Sequence, residues 1–234
     1  FNRIADAALD ARNPRTAMRP IPAGHISIAR AWLFMVAFAL LFLCGCAGFR
    51  VLFANEWPLL LSIPTLLAMA AYSYCKRFTA LSHFVLGAVI AFAPMASWIA
   101  IHPASFGWPT IILSGSVLTW IAGFDLIYAC QDVDVDRAEE LFSIPARTSV
   151  AFALGLSRAC HLLTITCLIV LGRLGSFGWL YWIGVVVTGV LLVVEQSIVS
   201  SSNLTRVNLA FFTLNGVVSL VFAGAAIGDI LMRR

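Results

Sequence analysis

The stretch Asp125-Leu126-Ile127-Tyr128-Ala129-Cys130-Gln131-Asp132-Val133-Asp134-Val135-Asp136 overlaps the end of an apolar run covering residues 109–129. An apolar run of about 20 residues crosses a bilayer as a helix. Asp125 falls in the last turn of that run, where a charge is costly and usually functional. Asp132 and Asp136 stand at i and i+4 on one helical face, with Tyr128 and Asp125 upstream. Asp134 points away from that face, and Glu139 and Glu140 read as solvated loop charges. Carboxylates stacked on one face repel each other unless a cation compensates them.

Working outward, six further apolar blocks lie near 31–49, 57–75, 80–100, 157–172, 176–195 and 208–228. The chain is 61% hydrophobic and 11% charged, against roughly 25% charged residues in soluble domains. Its mean hydropathy is +0.95. The expected fold is all-α: a polytopic transmembrane helical bundle with seven spans, forming a single domain over 1–234 joined by tight loops. A soluble domain and a nucleic-acid-binding module are both disfavoured.

Alternating the loops between two sides sorts the charges. One side holds 1–30, 76–79, 130–156 and 196–207, with Arg158 just inside the next span. It carries eleven Lys and Arg, and the opposite side carries four. Cytoplasmic loops are enriched in basic residues, so the first side is expected in the cytoplasm. Trp57, Trp108, Trp179 and Trp182 then fall near the outer boundaries and Trp32 near an inner one, as an interfacial belt would. The six cysteines lie in or beside apolar spans without zinc or disulfide spacing. Cys44-x-Cys46 reads as small apolar packing rather than a redox pair.

A second acidic cluster falls on the same side: Asn2, Asp6 and Asp10, again at helical spacing, with Arg3 beside them. The two clusters hold six of the chain's eleven carboxylates. Asn13-Pro14-Arg15-Thr16-Ala17-Met18-Arg19-Pro20-Ile21-Pro22-Ala23-Gly24 follows, and three prolines with a glycine forbid a continuous helix. Carboxylates beside Arg12, Arg15 and Arg19 suit an anionic ligand that carries a metal, such as a diphosphate with Mg²⁺. Mg²⁺ uses one or two carboxylates plus phosphate oxygens, and Arg grips phosphate with two prongs. The bland alternative is an amphipathic loop with internal salt bridges. Two such clusters on one side of one bundle favour a shared polyanion.

A third feature is Tyr72-Ser73-Tyr74-Cys75-Lys76-Arg77. Lys76 and Arg77 read either as topology signals or as pocket cations, and Tyr72 as an interfacial anchor or a pocket residue. A lipid diphosphate would place its headgroup at the rim and its tail between helices. Its departing carbon would be cation-like, and aromatic faces such as Tyr128 or Tyr74 could stabilise it. Asn208 and Asn215 read as cavity residues or as helix–helix hydrogen bonds. Glu195 and Asp229 read as span-end boundary residues. His25, His83, His102 and His161 show no metal-ligand spacing.

On these residues the chain resembles the UbiA superfamily of intramembrane prenyltransferases, in particular the 4-hydroxybenzoate polyprenyltransferase group. The motif N-x-x-x-D-x-x-x-D matches Asn2, Asp6 and Asp10, and the N-P-R-T-x-x-R-P-I-P-x-G loop matches Asn13 to Gly24. Y-x-x-x-K-R matches Tyr72, Lys76 and Arg77. D-x-x-Y-A-x-Q-D-x-x-x-D matches Asp125, Tyr128, Ala129, Gln131, Asp132 and Asp136, followed by Ser143 to Arg147. The resemblance implies a nine-helix bundle around a lipid-open central cavity, with both Asp motifs facing the cytoplasm, and a bacterial inner membrane location. It implies Mg²⁺ on Asn2, Asp6, Asp10, Asp132 and Asp136. Substrate contacts fall to Asn2, Arg15, Arg19, Tyr72, Lys76, Arg77, Asp125, Gln131 and Arg147, and catalysis to Asp6, Asp132 and Tyr128. The implied reaction moves a polyprenyl group from its diphosphate to an aromatic acid in quinone biosynthesis. The acceptor is 4-hydroxybenzoate, or a naphthoate of the menaquinone route. A divalent-cation transporter is the alternative of another class. Three departures stand out. The two spans expected before the first motif are missing, so the chain is expected to be N-terminally incomplete. Glu140 replaces a common Gly, and Thr148-Ser149 a common Phe-Gly.

Overall fold

A computed structural model describes residues 1–233. Seven helical stretches are long and apolar enough to cross a membrane: Ile28–Phe53, Trp57–Cys75, Ser82–Ile101, Trp108–Ala138, Val150–Leu174, Trp179–Ser197 and Leu209–Met232. The all-α expectation holds. Two short helices precede them, α1 (Asn2–Ala5) and α2 (Ala7–Arg12). The spans contain α3 (Ile28–Phe53), α4 (Trp57–Cys75), α5 (Ser82–Ile90), α6 (Phe92–Ile101) and α7 (Trp108–Ala129). After short α8 (Val133–Ala138) and α9 (Ile144–Arg147) come α10 (Val150–Leu174), α11 (Trp179–Ser197) and, beyond a π-helix over Leu209–Leu214, α12 (Asn215–Met232).

Each boundary has a local cause. Ser27 and Ser149 accept the third backbone N–H of α3 and α10 on their hydroxyls, as N-caps do. The Ser149 cap explains why the fifth span is longer than the 157–172 read from hydropathy. It starts the helix at Val150, and Val150–Leu156 is apolar enough to continue it. The third span breaks at Ala91 because Pro94 has no N–H for the Ile90 carbonyl. Trp57, Trp108 and Trp179 are each the first residue of a helix and are exposed, as interfacial anchors require.

Helix α7 is the central element, packed chiefly against α5 and α10. Small residues permit the close approach. A Cβ on Gly87 would stand 2.4 Å from the Leu118 carbonyl oxygen, and one on Gly123 would meet the His161 ring. The main core joins Ala122, Leu126 and Ile127 of α7 to Ala153, Leu154 and Cys160 of α10, with Ile144, Val199, Val207 and Ala210 closing one end. Leu33, Phe34, Leu41, Leu67, Leu162, Val186, Val193 and Leu220 are exposed on outer helix faces, where a bilayer would cover them. All six cysteines are free.

Asp229 departs from its boundary reading. It is 3% exposed and accepts hydrogen bonds from the Gly178 N–H (2.7 Å) and the Tyr181 N–H (3.4 Å). A carboxylate of α12 therefore caps the N-terminus of α11, where the helix dipole favours negative charge.

Candidate active site

The two acidic clusters meet across one cavity of about 310 Å³. One wall is α1, α2 and the following loop. Asp10 donates its N–H to the Asp6 carbonyl and Asp6 donates to Asn2, so the helical spacing survives the break at Asp6. Asn2 Nδ2 donates to Asp6 Oδ2 at 3.0 Å. The facing wall is the end of α7 and α8, with a short 3₁₀ turn over Cys130–Asp132 between them. Asp125, Tyr128, Asp132 and Asp136 line that wall, and Asp134 is exposed, turned away as its spacing implied.

The loop after α2 is built around Asn13. Its Oδ1 accepts the Arg15 N–H at 2.9 Å, a local turn, and its Nδ2 donates to Asp132 Oδ1 at 2.8 Å. That turn aims Arg15 across the cavity. Arg15 grips Asp132 with both prongs, Nε to Oδ1 at 2.9 Å and Nη2 to Oδ2, while Nη1 donates to the Tyr128 hydroxyl at 2.5 Å. Its guanidinium carbon lies 4.7 Å from the Tyr128 ring centre. Burial works against the Arg15 charge, but the bonds to Asp132 and Tyr128 outweigh it and leave the guanidinium above its ordinary pKa.

Every carboxylate of the first cluster also faces a cation. Asp6 meets Arg77 at 3.2 Å and Lys76 at 3.8 Å, and Asp10 meets Arg19 at 2.6 Å. Both carboxylates are buried. The cations are part-exposed, so solvent weakens each pair, but losing one would still leave a buried carboxylate less compensated.

Asn2, Tyr72 and Ser73 also line the cavity; Arg77 reaches Asp6 from its edge. The structure leaves two expected residues outside. Gln131 turns its amide back to the Tyr128 carbonyl, because the 3₁₀ turn rotates it off the Asp132 face. Arg147 is exposed, donates to the Glu140 carbonyl at 3.0 Å and stacks on Phe142. Tyr74 likewise packs on Phe1 and Arg77, leaving Tyr128 as the tyrosine on the α7 wall.

Four residues to which the sequence reading gave no cavity role line it. His83 Nδ1 sits 2.7 Å from Asp125 Oδ2, and its Nε2 accepts the Ile144 N–H at 3.4 Å. With Nε2 accepting, Nδ1 carries the proton and donates to Asp125. Phe211 and Phe212 stand beside Tyr128, with ring centres 4.1 and 6.2 Å away. Glu139 lines the mouth and pairs with Arg12, so it is not a free loop charge. An aromatic pair just before Asn215 was the available signal for Phe211 and Phe212.

Among the described residues no three His, Cys, Asp or Glu side chains converge as a ready-made metal site. The donor set nonetheless fits Mg²⁺ better than a softer ion. It is all hard oxygen on two facing walls, and Asp10 Oδ2 is buried without a hydrogen bond.

The description "UbiA prenyltransferase family" matches residues 1–217 of the sequence. This chain belongs to that family. It is an intramembrane prenyltransferase. It is 31% identical over 232 residues to a 4-hydroxybenzoate octaprenyltransferase of Psychromonas ingrahamii, covering 97% of this chain and 77% of that relative. A 4-hydroxybenzoate octaprenyltransferase of Nitrosomonas europaea is also 31% identical, covering 100% of this chain and 77% of the relative. The apo structure of a UbiA homolog from Aeropyrum pernix K1 superposes with a TM-score of 0.84 at 29% identity, covering 98% and 82% of the two chains. A UbiA homolog from Archaeoglobus fulgidus, bound to GPP and Mg²⁺, shares the fold at a TM-score of 0.66 and 21% identity, covering 98% and 81%. The prenyltransferase class replaces the cation-transport alternative.

Proposed function

We propose that this enzyme transfers a polyprenyl group from its diphosphate to 4-hydroxybenzoate or a closely similar aromatic acid, with Mg²⁺, in quinone biosynthesis. The observation that carries the reading is the placement of Arg15, Arg19 and Lys76 among Asp6, Asp10, Asp132 and Asp136 around one cavity. A purely cationic pocket would bind a diphosphate without metal, and a purely acidic one would repel it. The relatives named above supply the acceptor class.

Asn2, Asp6, Asp10, Asp132 and Asp136 would hold Mg²⁺, which neutralises the diphosphate as it departs. Arg15, Arg19, Lys76 and Arg77 bind the remaining phosphate oxygens and stabilise the same developing charge. Tyr128, Phe211 and Phe212 form one aromatic wall of the cavity, which would stabilise the carbon that becomes cation-like. Asp125, oriented by the His83 N–H, stands at the inner end of the carboxylate wall and can take the acceptor's proton. The basic excess supports both Asp motifs facing the cytoplasm, and the bacterial relatives support an inner-membrane location.

The test is mass spectrometry of products from membranes given a polyprenyl diphosphate and Mg²⁺ with 4-hydroxybenzoate or 1,4-dihydroxy-2-naphthoate. Prenylated 4-hydroxybenzoate is the expected product. A prenylated naphthoate alone would move the enzyme to the menaquinone route, and no Mg²⁺-dependent product from either acid would refute the reading.

A further inference from the structure

Glu195 of α11 is fully enclosed (0% exposed), not a boundary residue as its position at a span end suggested. An enclosed carboxyl within a membrane bundle is expensive and calls for a function. Its Oε1 accepts from Asn215 Nδ2 at 3.2 Å, and its Oε2 has no partner. Asn215 is tied on every side. Its Oδ1 accepts the Trp120 indole N–H at 2.7 Å, and the indole nitrogen can only donate, which fixes the amide's orientation. Nδ2 therefore faces Glu195 and also the carbonyls of Ala210 (3.0 Å) and Phe211 (3.2 Å).

Those two carbonyls belong to the π-helix Leu209–Leu214. A π-turn is rare and is frequently found at functional sites. Here the Asn215 amide supplies donors that hold it. The π-turn in turn carries Phe211 and Phe212, adjacent residues that both line the cavity. Phe211 lies against Tyr128 and edge-on to Phe124, 5.1 Å between centres.

We propose that Glu195, Asn215 and Trp120 are positioning residues for the transfer reaction: they lock the π-helix so that Phe211 and Phe212 stand with Tyr128 as the wall that keeps water from the reacting carbon. When the carbon–oxygen bond to diphosphate breaks, the electron pair leaves with the diphosphate. The carbon then takes an electron pair from the acceptor ring, forming a carbon–carbon bond as the ring loses a proton. Alternatively it takes one from water, which loses a proton and leaves the prenyl alcohol. The aromatic wall sets the ratio of these two outcomes, while the residues that grip diphosphate are untouched. This inference rests on the transfer to an aromatic acid proposed above.

The experiment measures prenylated acid and prenyl alcohol together, in membranes supplied with a polyprenyl diphosphate, Mg²⁺ and 4-hydroxybenzoate. Asn215→Leu, Glu195→Leu and Trp120→Phe should raise the alcohol-to-transfer ratio about two- to tenfold, the worth of one hydrogen bond. KM for the diphosphate should stay near wild type. Glu195→Gln keeps an acceptor for Asn215 and should restore the wild-type ratio. Trp120→Phe keeps an aromatic side chain and loses the N–H together with part of the indole bulk, so as the mildest of the three it decides the matter if a leucine variant does not fold. A wild-type ratio in Trp120→Phe, or a change confined to KM, would overturn the positioning role. Failure of the wild-type enzyme itself to prenylate any aromatic acid would instead refute the functional reading beneath it.

Discussion

Arg12 and Glu139 stand 127 residues apart in sequence and join through two parallel N–H···O bonds of 2.6 Å each. The pair ties the end of α2 to the loop after α8, across the mouth of the cavity. The Glu139 carboxyl is held below its ordinary pKa by hydrogen bonding to Arg12, with burial opposing and the Arg12 charge assisting. A lowered folded-state value means that the tie contributes fully above the unfolded carboxyl's pKa of about 4.3. It is lost as pH falls through the lower folded value. The thermal midpoint of wild type should therefore exceed that of Glu139→Gln at about pH 7, and the gap should narrow as pH falls below about 4.3. A gap that does not narrow would show that the tie does not depend on the carboxylate charge.

Asp132→Ala and Asp6→Ala should each abolish turnover while the protein still inserts in the membrane. Each removes a carboxylate from one wall of the cavity and leaves Arg15, or Lys76 and Arg77, without its partner. Arg15→Lys should fail nearly as badly, because a lysine cannot make the two-pronged grip on Asp132. Diphosphate release measured on membrane fractions checks this, and near-normal activity in both Asp variants would defeat the shared-site reading.

Glu140 has φ of +55°, the left-handed region, which costs a residue with a side chain about 1 kcal/mol or more. Glu140→Gly should therefore raise the thermal midpoint, with a gain of about 1 kcal/mol. The Arg147 bond to the residue 140 carbonyl survives, since it is a backbone contact. An unchanged or lowered midpoint would mean that the Glu140 side chain contributes more than its backbone strain costs.

Gly87→Val should disrupt the α5–α7 contact, because its Cβ would meet the Leu118 carbonyl, a backbone atom that cannot swing aside. A loss of about 1–3 kcal/mol is expected, as in overpacked cores. Gly224→Ala, where a Cβ meets nothing, is the control. Detergent-extracted yield and thermal aggregation separate the two.

The sequence was informative where chemistry is written in spacing. The carboxylates at i, i+4 and i+8 and the Pro-rich loop between them led directly to the cavity, because a helix face or a proline break needs no tertiary knowledge. The span count followed from hydropathy for the same reason. The misses share a different cause. Gln131 left the cavity because a 3₁₀ turn changed the angular step between neighbouring residues. His83 and Glu195 gained their partners only through packing, from Asp125 and Asn215, and neither pairing has a sequence period. Glu140 was legible as an oddity, but its meaning required a backbone angle.

The two carboxylates Asp229 and Glu195 fasten the same pair of helices at opposite ends. Asp229 of α12 holds the start of α11, and near the end of α11 Glu195 holds the start of α12. A hairpin riveted at both ends resists splaying, so α11 and α12 move as a single stave of the barrel. Two helices fastened at both ends are a poor place for the bundle to part, so any opening between helices is expected along another seam.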